Sequence, residues 1–344
     1  MAHTDLTPPD PQPILDLVEG FRRSKVLFAA VELGVFDQLA QGPASAAALA
    51  ADLRCDADAL ERLLSACVHA GLLESHGRQY RNSPATTHYL CQHSDQRVTG
   101  YVRYSNSVLW QLWGKLEDAV REGTHRWKQV FGSDGPIFDQ FFATEGQKRE
   151  FLLGMHGYGC LSSPEVVQAF DLSRFRRLID LGGATGHLAV AAIRRYPQLE
   201  AAVFELPTAA SFTREMLAQA GAAERVAVLE GDFFRDELPA GDLFALGRIV
   251  HDWGPEQVAH LLSRIYARLP PGGAILLAEK IVWEDKSGPR WALLQSLNML
   301  VCTEGKERTL SEYARVLETA GFREIQGRRT GSPLDAILAI KPQA

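Results

Sequence analysis

The sequence predicts an α/β protein in which a doubly wound, Rossmann-like sheet follows a smaller, mostly helical domain. From about residue 165, short apolar runs alternate with helical segments, which is the pattern of a parallel sheet covered by helices. One of these runs, residues 178–181, leads into a glycine-rich turn at 182–186 and then into an alanine-rich helical pattern. Residues 14–73 instead carry apolar side chains at helical spacing.

The first 100 residues are predicted to form a winged-helix-like domain. Helical patterns cover residues 14–40, 46–53 and 56–73, and short alternating segments follow around Gly77. This outline is typical either of a DNA-binding head or of a structural head used for dimerisation. We favour dimerisation, because residues 57–70, where a recognition helix would lie, hold one arginine and no basic stripe.

The rest of the chain is predicted to contain a helical connector at 101–164, rich in aromatic residues, and a sheet domain at 165–344. Strand-like runs lie at 178–181, 201–205, 226–234, 242–250, 274–279, 323–329 and 334–340. A helical pattern at 310–321 precedes the last two runs, so we expect an antiparallel end to an otherwise parallel sheet.

Polar residues follow the predicted strands, and the carboxyl ends of such strands are where open α/β sheets bind ligands. Glu205 closes the second strand about 20 residues after the glycine-rich turn, a position suited to ribose hydroxyl groups. Asp232 and Phe233 follow the third strand, where an acid and an aromatic ring suit an adenine base. The turn alone is a weak signal, since phosphate and dinucleotide sites use similar turns. Together these residues predict a nucleotide-type pocket.

Net charge, cysteine spacing and the length of apolar runs argue against several classes of protein function. The net charge of −6 argues against nucleic acid as a partner. The five cysteines are scattered and lack CxxC spacing, which indicates reduced thiols, a cytoplasmic protein and no metal framework. No charged leader and no apolar run of about 18 residues stand out, so we expect neither a signal peptide nor a membrane partner.

Five motifs resemble those of class I S-adenosylmethionine (SAM) dependent methyltransferases. They are Asp180-Leu181-Gly182-Gly183-Ala184-Thr185-Gly186, Gly231-Asp232-Phe233-Phe234, His251-Asp252-Trp253, Pro271-Gly272-Gly273 and Gly305-Lys306-Glu307-Arg308-Thr309. Within that class the chain resembles the small-molecule O-methyltransferase family, of the caffeate and acetylserotonin type. The resemblance implies SAM as co-substrate, a small-molecule acceptor and a homodimer formed through the head.

The resemblance also assigns residues to the cofactor. It implies that the Gly182-Gly183 turn holds the amino acid portion of SAM and that Glu205 binds the ribose. Gly231, Asp232 and Phe233 are expected to frame the adenine. Arg248 is expected to pair with the SAM carboxylate.

Catalysis is expected to centre on His251. A phenol has a pKa near 10, so a hydroxyl acceptor needs a base at neutral pH. His251 stands in the family's catalytic position, and Glu279 and Glu307 match the two acids that flank this histidine in plant relatives. Asp252 either holds the acceptor or caps the helix that follows it.

The acceptor pocket is expected to include Phe142, Phe151, Asp252, Asn298 and Cys302. Three positions depart from the acetylserotonin type: Cys302 replaces a glutamine, Phe142 a tyrosine and Gly159 a tryptophan. Because these changes remove hydrogen-bonding groups and bulk, we expect N-acetylserotonin not to be the main acceptor.

Two alternative functions remain open on the sequence. One is an S-methyltransferase acting on a small thioether acid such as methylthio-hydroxybutyrate, in dimethylsulfoniopropionate synthesis. A thioether has no proton to lose, so that reaction needs acids or aromatic faces around the product sulfonium and no base. The other is a ligand-sensing winged-helix regulator, which would bind duplex DNA with strong salt dependence.

Overall fold

The computed structural model of the protein describes residues 9–132 and 144–343. The chain divides into two compact units, the first ending at Asn106 and the second beginning at Ser107. None of the helices in the described parts of the chain is both long and apolar enough to cross a membrane.

The first unit is a helical domain with a small sheet. Its helices are α1 (Gln12–Glu32), α2 (Val35–Leu39), α3 (Ala46–Leu53), α4 (Ala57–His69), α5 (Pro84–Leu90) and α6 (Thr99–Tyr104). Its strands are β1 (Ala44–Ser45), β2 (Leu73–His76) and β3 (Gln79–Asn82), in the antiparallel order β1-β3-β2. A π-helical turn, Ser105–Leu109, follows α6.

Local sequence signals explain where these helices begin and end. Gly34 adopts a left-handed φ of 76° between α1 and α2, a conformation that glycine reaches without strain. The side chains of Ser45 and Asp56 accept hydrogen bonds from backbone amides at the starts of α3 and α4. The predicted helix over 56–73 ends earlier, at His69, because Gly71 turns the chain at a φ of 72° into β2.

The second unit holds a seven-stranded sheet and its covering helices. The helices are α7 (Trp110–Trp113), α8 (Leu116–Glu122), α9 (Trp127–Phe131), α10 (Glu145–Gln168), α11 (His187–Arg195), α12 (Pro207–Gln219), α13 (Pro255–Arg268), α14 (Arg290–Cys302) and α15 (Leu310–Thr319). The strands are β4 (Arg177–Leu181), β5 (Glu200–Glu205), β6 (Val226–Glu230), β7 (Leu243–Gly247), β8 (Ala274–Glu279), β9 (Arg323–Arg328) and β10 (Asp335–Ile340).

The strand order is β6-β5-β4-β7-β8-β10-β9. The five strands from β6 to β8 are parallel, whereas β10 is antiparallel to both of its neighbours. This confirms the predicted doubly wound fold with an antiparallel end. The order places β4 and β7 side by side, where the strand sequence reverses direction, and ligands bind at such switch points.

Both faces of the central strands are buried. Along β4, Leu178 packs into a core on one face and Ile179 into a second core on the other face. Alternate residues of the central strands therefore point into two different apolar layers, which explains why these strands appear as continuous apolar runs in the sequence. The third predicted strand is shorter than expected, ending at Glu230, because the Asp232 side chain accepts the amide of Phe234 and turns the chain.

Candidate active site

The predicted site residues of the second unit gather at the carboxyl edge of its parallel strands. Glu205 and Glu279 are the last residues of β5 and β8, and Arg248 directly follows β7. The glycine-rich turn follows β4, and Gly231 follows β6. The topology thus brings together motifs that lie up to about one hundred residues apart in the chain.

The glycine-rich turn needs glycine for space. Gly182 has a left-handed φ of 64°, and its amide donates to the Phe204 carbonyl at 2.8 Å. A Cβ at position 183 would collide with the Asp180 carboxylate. Burial raises the pKa of Asp180 to about 7. The turn is therefore packed against the Asp180 carboxylate, which leaves no room for a side chain at position 183.

Glu205 holds this turn in place. One carboxylate oxygen accepts the amide of Ala184 at 2.8 Å and the other accepts the amide of Leu206 at 2.8 Å. The side chain is buried, and burial raises its pKa. Each oxygen still has a second lone pair, so both bonds are compatible with binding a hydroxyl group.

Asp232 and Phe233 lie beside each other after β6, both partly buried. Asp232 is fixed by its bond to the amide of Phe234 at 2.8 Å, and Phe233 packs edge-on against Phe234 with ring centroids 4.8 Å apart. A Cβ at Gly231 would overlap the Phe204 ring, so only glycine fits there. The pair is thus an acid and an aromatic ring in fixed positions.

Arg248 has a backbone conformation that is rare for a residue with a side chain. Its φ is 59°, a left-handed value that costs about 1–3 kcal/mol when the residue is not glycine. The guanidinium lies 5.6 Å from the centre of the Tyr158 ring, and Nε has no hydrogen-bond partner among the described residues. Such strain clusters at functional sites, where the fold compensates for it.

His251 and two glutamates form a buried cluster. His251 Nδ1 lies 2.6 Å from Oε1 of Glu307 and 3.3 Å from Oε2 of Glu279. The other ring nitrogen, Nε2, lies 3.6 Å from Oδ1 of Asp252. One donor atom from each cluster residue lies within 4.8 Å of the others, but in this arrangement the imidazole and the carboxylates bind each other. Three carboxyl groups therefore surround one imidazole.

Glu279 also organises the turn that carries the histidine. Its Oε1 faces the amides of Ile249, Val250 and His251 at 3.1, 2.8 and 3.4 Å. The backbone of the strand tip and the imidazole are thus fixed by a single carboxylate.

The segment around Glu307 packs directly on the same tip. A Cβ at Gly305 would overlap the His251 carbonyl, and the Glu304 amide donates to the Asp252 carbonyl at 3.2 Å. Arg308 donates to the carbonyls of Val250 and Trp253 at 2.9 and 3.3 Å. This explains why glycine, an acid and an arginine occur together in the 305–309 motif.

Burial changes the acidity of the carboxyl groups in this cluster. It raises the pKa of Glu307 to about 8, although Arg248 and Arg308 oppose the shift. Burial also raises the pKa of Glu279 and brings that of Asp252 to about 6. Burial therefore makes these carboxyl groups weaker acids than exposed ones.

Helix α14 carries two of the residues predicted to bind the acceptor, Asn298 and Cys302. Asn298 Oδ1 accepts the indole N–H of Trp113 at 2.8 Å, and the Cys302 thiol lies 3.8 Å from the same oxygen. Burial raises the pKa of this thiol strongly, so it stays protonated. Phe151 packs with an apolar cluster that includes Phe212. Phe142 lies outside the described residues.

Sequence reasoning missed several residues of this region. The sequence predicts Trp113 only as one of several core or interface aromatic residues, whereas its indole N–H fixes the Asn298 amide. His156, Thr185 and His187 also went unassigned, although the first two are hydrogen-bonded at 2.8 Å. The only available signal was that Thr185 and His187 lie in or beside the glycine-rich turn.

The chain is similar to known proteins over most of its length. Residues 113–323 match the O-methyltransferase domain, and residues 15–92 match the O-methyltransferase dimerisation domain. Human acetylserotonin O-methyltransferase is 41% identical over 95% of this chain and 96% of its own length. The crystal structure of human N-acetylserotonin methyltransferase in complex with SAM superimposes with a TM-score of 0.94 at 39% identity, covering all of both chains.

A further relative is the human probable bifunctional dTTP/UTP pyrophosphatase/methyltransferase protein. It is 40% identical over 97% of this chain, which spans 54% of that longer protein. The fold and the site define a methyltransferase of the α/β type. The chain belongs to the O-methyltransferase family, with that family's dimerisation domain at its amino-terminal side.

The raised pKa of Glu307 predicts how stability depends on pH. The folded protein holds a proton on Glu307 up to about pH 8, whereas an unfolded glutamate loses it near 4.5. Between these values the folded state binds more protons, so stability falls as pH rises. Glu307→Gln should flatten this fall, measured as thermal midpoints between pH 5 and pH 9. Glu312→Gln, in the same segment but with a lowered pKa, is the control. An unchanged slope in Glu307→Gln would contradict the burial argument.

Proposed function

We propose that the protein transfers a methyl group from SAM to a hydroxyl oxygen of a small-molecule acceptor, with His251 as general base. The observation that carries the proposal is the buried pair of His251 and Glu307, whose Nδ1 and Oε1 atoms lie 2.6 Å apart. The family match supports the reaction class, and the SAM complex of a structural neighbour supports the methyl donor.

The pair determines which nitrogen acts. Glu307 occupies Nδ1, so Nε2 is the nitrogen that takes the acceptor's proton. Nε2 has a lone pair when Nδ1 carries the hydrogen and donates it to Oε1 of Glu307. The carboxylate then stabilises the imidazolium that forms as the methyl group is transferred, and the carboxyl group of Glu279 lies 3.3 Å from the same nitrogen.

The cofactor lies, in this proposal, along the carboxyl edge of β4 to β7. Gly182 and Gly183 face the amino acid portion, Glu205 the ribose, and Asp232 with Phe233 the adenine, where Gly231 permits close approach. Arg248 pairs with the carboxylate of SAM. The methyl transfer itself is in line, so these residues mainly supply orientation.

The acceptor lies between the His251 tip and α14. Because Trp113 occupies the oxygen of the Asn298 amide, its NH₂ group is the part that faces an acceptor. Asp252, partly buried and 3.6 Å from Nε2, holds the hydroxyl beside the base. Cys302 and Phe151 provide the less polar remainder, which is why we expect poor turnover of N-acetylserotonin.

The proposed domain functions follow from the same argument. Residues 1–100 form the winged-helix-like head that makes a homodimer, 101–164 line the acceptor pocket and 165–344 carry catalysis. The dimerisation-domain match supports the dimer. Because the chain belongs to an enzyme family, an enzyme is favoured over a ligand-sensing winged-helix regulator. Methyl transfer from SAM to a small molecule requires no metal ion, nucleic acid or membrane.

A thioether acceptor is the second candidate. The three carboxyl groups around His251 would also stabilise a sulfonium product. A sulfur acceptor loses no proton, so the two candidates differ in their need for His251.

A methyl-transfer screen separates the two candidates. Purified protein receives labelled SAM and a panel of phenols, hydroxy acids, thiols and thioethers, including N-acetylserotonin. If a hydroxyl compound is the substrate, His251→Ala should lose about 10²-fold or more in kcat, because a general base is worth that much. His76→Ala, an exposed histidine of the head, is the matched control. A thioether substrate with an active His251→Ala enzyme would replace the oxygen proposal.

The pH profile provides an independent test. Turnover of a hydroxyl acceptor requires ionised Glu307, whose pKa is about 8, so kcat should rise with pH and level off above that value. Glu307→Gln should lower kcat and abolish this inflection. A profile that stays flat from pH 6 to pH 9 with an unactivated alcohol would argue against the base.

Calorimetry tests the cofactor site. Gly183→Val should abolish SAM binding because its side chain would collide with the Asp180 carboxylate. Asp232→Ala should do the same by removing the adenine contact. The control is Glu237→Ala, because Glu237 is exposed on the surface. Asp236 is not a suitable control, since its carboxylate accepts the Asp232 amide. Unchanged SAM affinity in both variants would refute the pocket.

A further inference from the structure

His187 is a partly buried histidine that has no role in the proposed mechanism. It is the first residue of α11 and directly follows the glycine-rich turn. Its ring is partly buried, and Nδ1 lies 2.8 Å from the hydroxyl of Ser163 on α10. The ring is therefore anchored at one nitrogen by a neighbouring helix.

Helix α10 makes room for this ring. A Cβ at Gly159 would overlap three atoms of the His187 imidazole, so the absence of a side chain at 159 and the presence of histidine at 187 depend on each other. A second link lies beside the first, since His156 Nδ1 is 2.8 Å from the Thr185 hydroxyl of the turn. Two imidazole–hydroxyl pairs thus connect α10 to the turn and to the start of α11.

The anchor suits the tautomer of His187 that carries its proton on Nε2. In that tautomer Nδ1 accepts the hydrogen of the Ser163 hydroxyl. Burial, with help from His156 and Arg248, lowers the pKa of His187 to about 3 and keeps the ring neutral. Nε2 is therefore an N–H donor, and it has no hydrogen-bond partner among the described residues.

This donor lies near a cation that is also incompletely paired. The Arg248 guanidinium lies 5.6 Å from the ring of Tyr158, which directly precedes Gly159 on α10, and its Nε has no hydrogen-bond partner among the described residues. A cationic donor and a neutral donor beside a glycine-rich turn suit a carboxylate, whose two oxygens accept up to four hydrogen bonds.

We propose that His187 is a binding residue for the methyl donor, giving its Nε2–H to the carboxylate of the amino acid portion beside Arg248. This inference rests on the proposed placement of that portion at Gly182, Gly183 and Arg248. It makes Gly159 a positioning residue, because it acts only by leaving space for the imidazole.

Two ligands that differ in the amino acid portion test the proposal. S-adenosylhomocysteine carries the carboxylate, whereas 5′-methylthioadenosine keeps the nucleoside and the thioether but lacks the whole amino acid portion. By calorimetry, His187→Ala should weaken S-adenosylhomocysteine about tenfold or more, as expected for a hydrogen bond to a charged group. Its affinity for 5′-methylthioadenosine should not change. His187→Gln, whose amide nitrogen reaches the place of Nε2, should recover part of the loss.

A double-mutant cycle identifies the pathway of the effect. Gly159→Ala should weaken S-adenosylhomocysteine in the wild-type background and have no further effect in His187→Ala, where the ring is absent. If His187→Ala folds poorly, the single variant Gly159→Ala still tests the inference, because it should weaken S-adenosylhomocysteine and leave 5′-methylthioadenosine unchanged. Equal losses for both ligands, or additive effects of the two substitutions, would overturn the inference. Wild-type protein that binds neither ligand would instead refute the proposed function.

Discussion

The carboxylate of Glu279 is the interaction on which the rest of the active site depends. It lies at the end of β8, fully buried, and faces three successive backbone amides at the tip of the neighbouring strand β7. A buried carboxylate is costly unless such donors surround it. Glu279 therefore accepts these backbone amides with one oxygen and contacts the His251 ring with the other. Since Glu279 ends β8 and His251 follows β7, the register of these two parallel strands determines where the imidazole lies.

The site combines rigidity with groups that are poorly solvated. The central parallel strands are buried on both faces, and their last residues lie at the edge where such sheets bind small molecules. Glu205 and Glu279 occupy those last positions, and burial raises the pKa of each. Burying these acids lowers the stability of the folded protein but provides the groups that the active site needs. Such a trade between stability and function is common at active sites.

The sequence was sufficient for the strands, the glycine-rich turn and the cluster of His251, Glu279 and Glu307, because each follows an apolar run or belongs to a motif. It was insufficient for pairs whose members carry no periodic signal. Trp113 and Asn298 are 185 residues apart, and only the fold brings the indole to the amide. The link between His187 and Ser163 was missed for the same reason, since a lone histidine after a glycine turn indicates no partner. The strain at Arg248 is a backbone property that residue type does not reveal.

The packing of residues 304–308 on the tip of β7 has a consequence for folding. Glu307 and His251 are 56 residues apart, and the strand β8 and the helix α14 lie between them in the chain. Contacts that close such long loops form after local helices and hairpins, because their entropy cost is met only when most of the sheet exists. Refolding protein should therefore regain its compact α/β domain before its histidine has a carboxylate partner, and recovery of activity should be among the last events of folding.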